Sequence, residues 1–62
     1  MSKADNEFIL VAKLLREAAD AADDVIKCET KEALGEDLSK EKKSALGTFM
    51  YKMMELSALS KQ

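Results

Sequence analysis

The sequence predicts an all-α fold: an antiparallel helical hairpin that oligomerises, most simply into a dimeric four-helix bundle. Three observations carry this reading. No Pro and only two Gly occur in 62 residues, and the commonest residues, Ala, Leu, Lys, Glu and Met, are strong helix formers. At 100° per residue the first half of the chain has one continuous apolar face. Gly35, followed by Asp37 and Ser39, is the one place where a helix stop precedes a helix start. The chain reads as a single domain over residues 1–62.

Helix 1 is expected over about residues 5–34. Asp5 or Asn6 is its candidate N-cap, and Glu7 lies favourably near the positive end of the helix dipole. Leu10, Val11, Leu14, Leu15, Ala18, Ala21, Ala22, Val25, Ile26 and Cys28 share the apolar face, with Phe8, Ala12 and Ala19 widening one edge. The arc spans about 200°, wider than the roughly 100° stripe of an ordinary surface helix. Lys13, Arg16, Glu17, Asp20, Asp23, Asp24 and Lys27 fill the other side. Glu29 points to the centre of the apolar face, so the core contribution is expected to end at Cys28. An alternative bends the chain near Glu29 into three helices, folding Phe8–Val11 back on the chain.

The turn is expected over about residues 35–38, with Gly35 as the C′ residue, where a left-handed backbone is free of Cβ strain. Helix 2 follows over about residues 39–60, capped by Asp37 or Ser39. Ala45, Leu46, Phe49, Met50, Met53 and Leu56 form its face, with Leu38 and Leu59 at the ends. Gly47 lies inside and suggests a close backbone approach. A turn centred near Glu36 sets Val25 opposite Gly47 and Phe49, Ala22 opposite Met50, and Ala19 opposite Met53.

This hairpin offers more apolar surface than it can bury. Helix 2 ends opposite about residue 12 on that pairing, so Phe8, Ile9, Leu10 and Val11 overhang it, an association-prone patch. Leu14, Ala18 and Ala21 on the wide arc, and Met54 on a second stripe beside Gly47, Tyr51 and Ala58, complete the candidate oligomer interface. A chain of this length rarely holds together on one small core. Cys28 is the only Cys, so no intrachain disulfide forms. Without His, no structural zinc site can be assembled. Self-association is the route that remains.

Charge and composition narrow the function. Ten basic and twelve acidic residues give a net charge of −2, with three aromatics in all, which argues against generic DNA binding. The longest apolar run, Phe8–Ala12, falls far short of the roughly 20 residues of a membrane span. Lys3, Asp5 and Glu7 match no signal-peptide pattern. A lone thiol fits a cytoplasmic protein.

Two clusters invite chemistry. Glu17, Asp20 and Asp24 share a helix face with Asp23 beside them, but one helix cannot wrap a cation. Interspersed with Lys13, Arg16, Lys27 and Lys31, they read as a solvated, ion-paired face, and no metal or cofactor is expected. Lys40, Lys42 and Lys43 crowd the start of helix 2, where the amides already carry partial positive charge and favour anions. Ser44, Thr48 and Tyr51 run behind them within about 60°. Lys40, Lys43, Ser44, Thr48 and Tyr51 are therefore the candidate ligand site, suited to a small anion such as a nucleotide.

No catalytic residue is identified. Without His, neither Cys–His nor Ser–His chemistry can operate, and no Gly-rich phosphate loop is present. The expected function is a non-enzymatic, homo-oligomeric module that binds, inhibits or scaffolds a protein partner. Sequestration of a small anionic ligand on the Lys/Ser/Tyr face is the alternative. Structured-RNA binding by lysines gathered through dimer symmetry comes third, disfavoured by the acidic total.

Overall fold

A computed structural model describes the backbone of residues 3–60 and the side chains of residues 6–60. Two helices, α1 (Lys3–Ala33) and α2 (Ser39–Ser60), pack against each other, and the described residues contain no strand. The chain is 50 Å long but only 17 by 11 Å across. Two helices side by side make one layer, so no side chain lies far from water.

α1 runs unbroken through Glu29, which removes the three-helix alternative. Its start differs from expectation. Asp5 and Asn6 lie inside the helix rather than at its cap, because Lys3 and Ala4 are good helix formers with no breaker between them and Asp5.

The exit from α1 is a Schellman motif. The Gly35 amide donates to the Glu32 carbonyl at 2.9 Å, and the Glu36 amide donates to the Lys31 carbonyl at 3.2 Å. Gly35 sits at φ 99°, where a Cβ would be strained although nothing lies within 4 Å of it. The first α2 bond runs from the Lys42 amide to the Leu38 carbonyl at 2.9 Å, making Leu38 the N-cap residue. Asp37, one residue earlier, accepts from the Ser39 hydroxyl at 2.9 Å and the Ser39 amide at 3.3 Å. Those two bonds, the hydroxyl's first, hold its carboxyl below the usual value of 3.8.

The two glycines predict opposite results. Gly35→Ala is expected to destabilise the hairpin by about 1–2 kcal/mol through left-handed strain. Gly47, by contrast, is exposed and has open space around its Cβ position, so the close approach expected there is absent. Gly47→Ala should stabilise by about 1 kcal/mol through helix propensity alone. Urea midpoints for the two variants should move in opposite directions.

The helices meet along a seam of alternating three- and four-residue steps. Val11, Leu14, Ala18, Ala21, Val25, Cys28 and Glu32 are among the withdrawn positions of α1, with Ala12, Glu17 and Ala22 flanking them; Leu38 before α2 and Lys42, Ala45, Phe49, Lys52, Leu56 and Leu59 within it answer from the other side. Such spacing keeps one stripe facing an antiparallel partner. It sets Val11 level with Leu59, Leu14 with Leu56, Ala18 with Lys52, Ala21 with Phe49, Val25 with Ala45, and Cys28 with Lys42. Ion pairs crossing the seam, Lys52 to Glu17 at 3.3 Å and Lys42 to Glu32 at 3.1 Å, agree with this register.

The expected pairing is therefore corrected. Met50 and Met53 are 63% and 43% exposed, and Ala19 is exposed as well, so neither Ala22–Met50 nor Ala19–Met53 is a core layer. α2 is rotated so that Lys42 and Lys52 take seam positions. Long lysine stems cover small neighbours while the ammonium groups reach carboxylates at the rim. Leu14, Ala18 and Ala21 alone are buried among the described residues, and α2 contributes none.

Candidate functional site

The hairpin has two unlike sides. On one, Glu17, Asp20, Asp24, Lys27 and Lys31 of α1 and Lys40, Glu41, Ser44 and Thr48 of α2 rim an open groove whose floor includes Ala21, Cys28, Leu38 and Ala45. This groove gathers Lys40, Ser44 and Thr48 from the candidate ligand site but not Lys43 or Tyr51. Lys43 lies about 100° around α2 from Ser44, outside the groove. Across the groove stand Glu17, Asp20 and Asp24 together with Lys27 and Lys31. A bound anion would meet charges of both signs, and the carboxylates oppose it.

Two lysines organise this structure: Lys52, unassigned from sequence, and Lys42, placed from sequence only in the basic cluster at the start of helix 2. Lys52 lies 3.3 Å from Glu17 and 3.6 Å from Glu55, and the Oε1 atoms of both acids are withdrawn from water. Lys42 donates to Glu32 at 3.1 Å and lies 3.7 Å from Glu29. Short-range bonding to Glu17 and to Glu32, respectively, is the main cause that raises each ammonium above the usual 10.5, against the opposing effect of partial burial. The signal was available: Lys42 and Lys52 fall on the same heptad as Leu38, Ala45, Phe49 and Leu56. Among the described residues, no group of three His, Cys, Asp or Glu side chains gathers as metal ligands would. Cys28 is a free, half-buried thiol at a seam position.

The opposite side is apolar. Phe8, Ala12, Leu15, Ala19, Ala22 and Ile26 recur on α1 at four- and three-residue steps, about 90–100° around from the seam. Leu46, Met50 and Met53 flank the seam on α2 in the same sense. Because the helices are antiparallel, both stripes emerge on the face turned away from the charge-rimmed groove. Phe8 is 73%, Leu15 52% and Ile26 60% exposed, and Leu46 is 42% exposed. Together they set several large exposed apolar side chains along one face of the hairpin.

The candidate interface residues divide accordingly. Phe8 lies at one end of this face, and Ile9 points outward from α1. Leu10 is partly covered at the seam edge. Leu14, Ala18 and Ala21 are 3–4% exposed inside the hairpin, so a second chain has nothing left to cover there; they are removed from the interface. Val11 is half-buried and borders, with Phe8, Leu56 and Leu59, a small cleft at the open end. Leu59 thus reaches the level of Val11, and the overhang is shorter than expected. Met54 is 68% exposed on the outer side of α2.

Among the described residues, no helix is long and apolar enough to cross a membrane. No family model matches the chain, and comparisons with curated proteins and with solved structures found no match either.

Proposed function

We propose that this chain is a small, non-enzymatic, homo-oligomeric helical binding module, most simply a dimeric four-helix bundle, that acts in the cytoplasm by presenting a surface to a protein partner. The observation that carries this is the charge pattern of α2. Between Ser44 and Glu55 the sole charged residue is Lys52, and Lys52 is turned into the seam. The rest of that stretch presents no charge to water on any side. A stretch this poor in solvated charge, carrying Leu46, Phe49, Met50, Met53 and Met54, is suited to contact with another chain.

Two surfaces follow from this. Leu46, Met50 and Met53 continue the apolar face of α1 and suit self-association. Gly47, Tyr51, Met54 and Ala58 form an outer stripe that a hairpin dimer leaves open. Met adapts to varied contacts, and Tyr supplies a large rigid one, so this stripe is the proposed surface for a protein partner. Nucleotide sequestration and structured-RNA binding draw less support: the groove sets carboxylates among its lysines, and the net charge is negative.

Light scattering tests the proposal. The wild-type chain is expected to run above 6.9 kDa at micromolar concentration, and Leu15→Lys with Met50→Lys to run as monomer or unfolded chain. Met54→Glu should keep the oligomeric mass while losing a copurifying protein held by the wild type. A stable wild-type monomer would overturn the reading.

A further inference from the structure

We infer that the apolar face is covered by a second copy of this chain, docked so that α2 of each protomer lies on α1 of the other about a two-fold axis parallel to the helices. This rests on the proposed self-association and specifies its geometry.

The surface leaves room for such a partner. The chain exposes 4933 Å² at 6.9 kDa, whereas a compact monomer of that mass exposes about 4,000 Å². Burying the ~800 Å² that each partner contributes to a standard interface would bring the exposed area per chain down to about that of a compact monomer.

Side-chain size selects the arrangement. The seam register sets Leu46 level with Asp24, Met50 with Asp20, and Met53 with Glu17. On the apolar face of α1, those levels fall between Ile26 and Ala22, beside Ala19 and Ala22, and between Ala19 and Leu15. A two-fold axis along the helices preserves level, so the partner's Met50 enters the hollow over Ala19 and Ala22. The partner's Leu46 then sits between Ile26 and Ala22, and at the centre of the contact a large side chain meets two small ones. An axis perpendicular to the helices and passing at this level would instead stack the alanines on one another and Met50 on the partner's Met50, leaving a void at one place and crowding at the other.

Charge agrees. Lys43 continues the Leu46–Met50–Met53 stripe, and among the described residues it makes no ion pair. In the parallel-axis dimer the partner's Lys43 comes between Ile26 and Glu29. Glu29 is still 59% exposed beyond its contact with Lys42, so it can receive a second cation. All neighbouring helices in this arrangement are antiparallel, the favourable alignment for their dipoles.

Disulfide trapping distinguishes the arrangements. In a Cys28→Ser background, chains carrying Ala22→Cys are mixed with chains carrying Met50→Cys, checked for helix content and mass, and oxidised. The parallel-axis dimer brings these two positions together across the interface and holds each far from its own copy, beyond disulfide reach. The mixed disulfide should be the dominant covalent species, identified by mass. Dominant self-linked species, or a dimer by light scattering that traps no mixed product, would overturn this geometry while leaving self-association standing. A monomer by light scattering would overturn both. If either variant fails to fold, Ile26→Cys and Leu46→Cys on separately tagged chains give the same discrimination.

Discussion

Leu14→Ala is expected to abolish most of the cooperative helical signal at low micromolar concentration. Truncating a buried Leu removes about 2–5 kcal/mol, and a core of this size supplies roughly 3–5 kcal/mol in all. Leu14 is 3% exposed, and the other two buried residues are alanines, which offer little apolar area. Leu14 is thus the largest buried side chain of the seam, level with Leu56. An isolated α1 does not compensate, because most helical stability in water comes from packing an amphipathic face. The adjacent Leu15 makes the control. It is 52% exposed in one chain and lies on the proposed dimer face. Leu15→Ala should lower the thermal midpoint in a concentration-dependent way, since binding stabilises by mass action. Leu14→Ala should carry a loss that persists at every concentration. Far-UV circular dichroism over a dilution series reads both, and equal, concentration-independent losses would show that the seam is not the core.

That contrast between neighbours explains what the sequence made legible. Both helices and the Gly35 turn follow from local information: period, propensity and one residue able to take a positive φ. The rotation of α2 does not. Its apolar residues cover a wide arc, and counting them alone favours Leu46, Met50 and Met53 as core. The seam instead takes Ala45, Phe49 and Leu56 together with Lys42 and Lys52, because Glu17, Glu29 and Glu32 stand where the ammonium groups can reach them. Which carboxylates face which lysines depends on both helices at once. The surroundings of the candidate ligand site depend on the pairing in the same way. Ser44, Thr48 and Tyr51 share one side of α2, which the wheel gives correctly. That Glu17, Asp20 and Asp24 line the opposite wall is a property of the pairing, and it turns a possible anion site into an electrostatically mixed groove.

The seam lysines give the chain a stability that should fall in alkaline solution. Lys52 and Lys42 are both held above 10.5, chiefly by Glu17 and Glu32 respectively. The folded chain therefore binds these protons more tightly than the unfolded chain. Their contribution is complete below the unfolded value of about 10.5 and is lost as pH rises through the higher folded value. Urea midpoints should hold steady in the neutral range and decline beyond 10.5. Lys52→Met should flatten part of that decline, because it removes one of the two responsible protons. At neutral pH the same substitution should be mildly destabilising. It withdraws the cation from between Glu17 and Glu55, but both carboxylates keep 39% of their side-chain surface open to water, so the loss is that of a partly exposed pair. Adding Glu17→Gln and Glu55→Gln to Lys52→Met should then recover the neutral-pH midpoint, since a neutral seam has no uncompensated charge to hold. A Lys52→Met variant as stable as wild type at neutral pH, with an unchanged alkaline decline, would mean that Lys52 only covers Ala18 with its stem. The seam would then be held by its apolar layers alone.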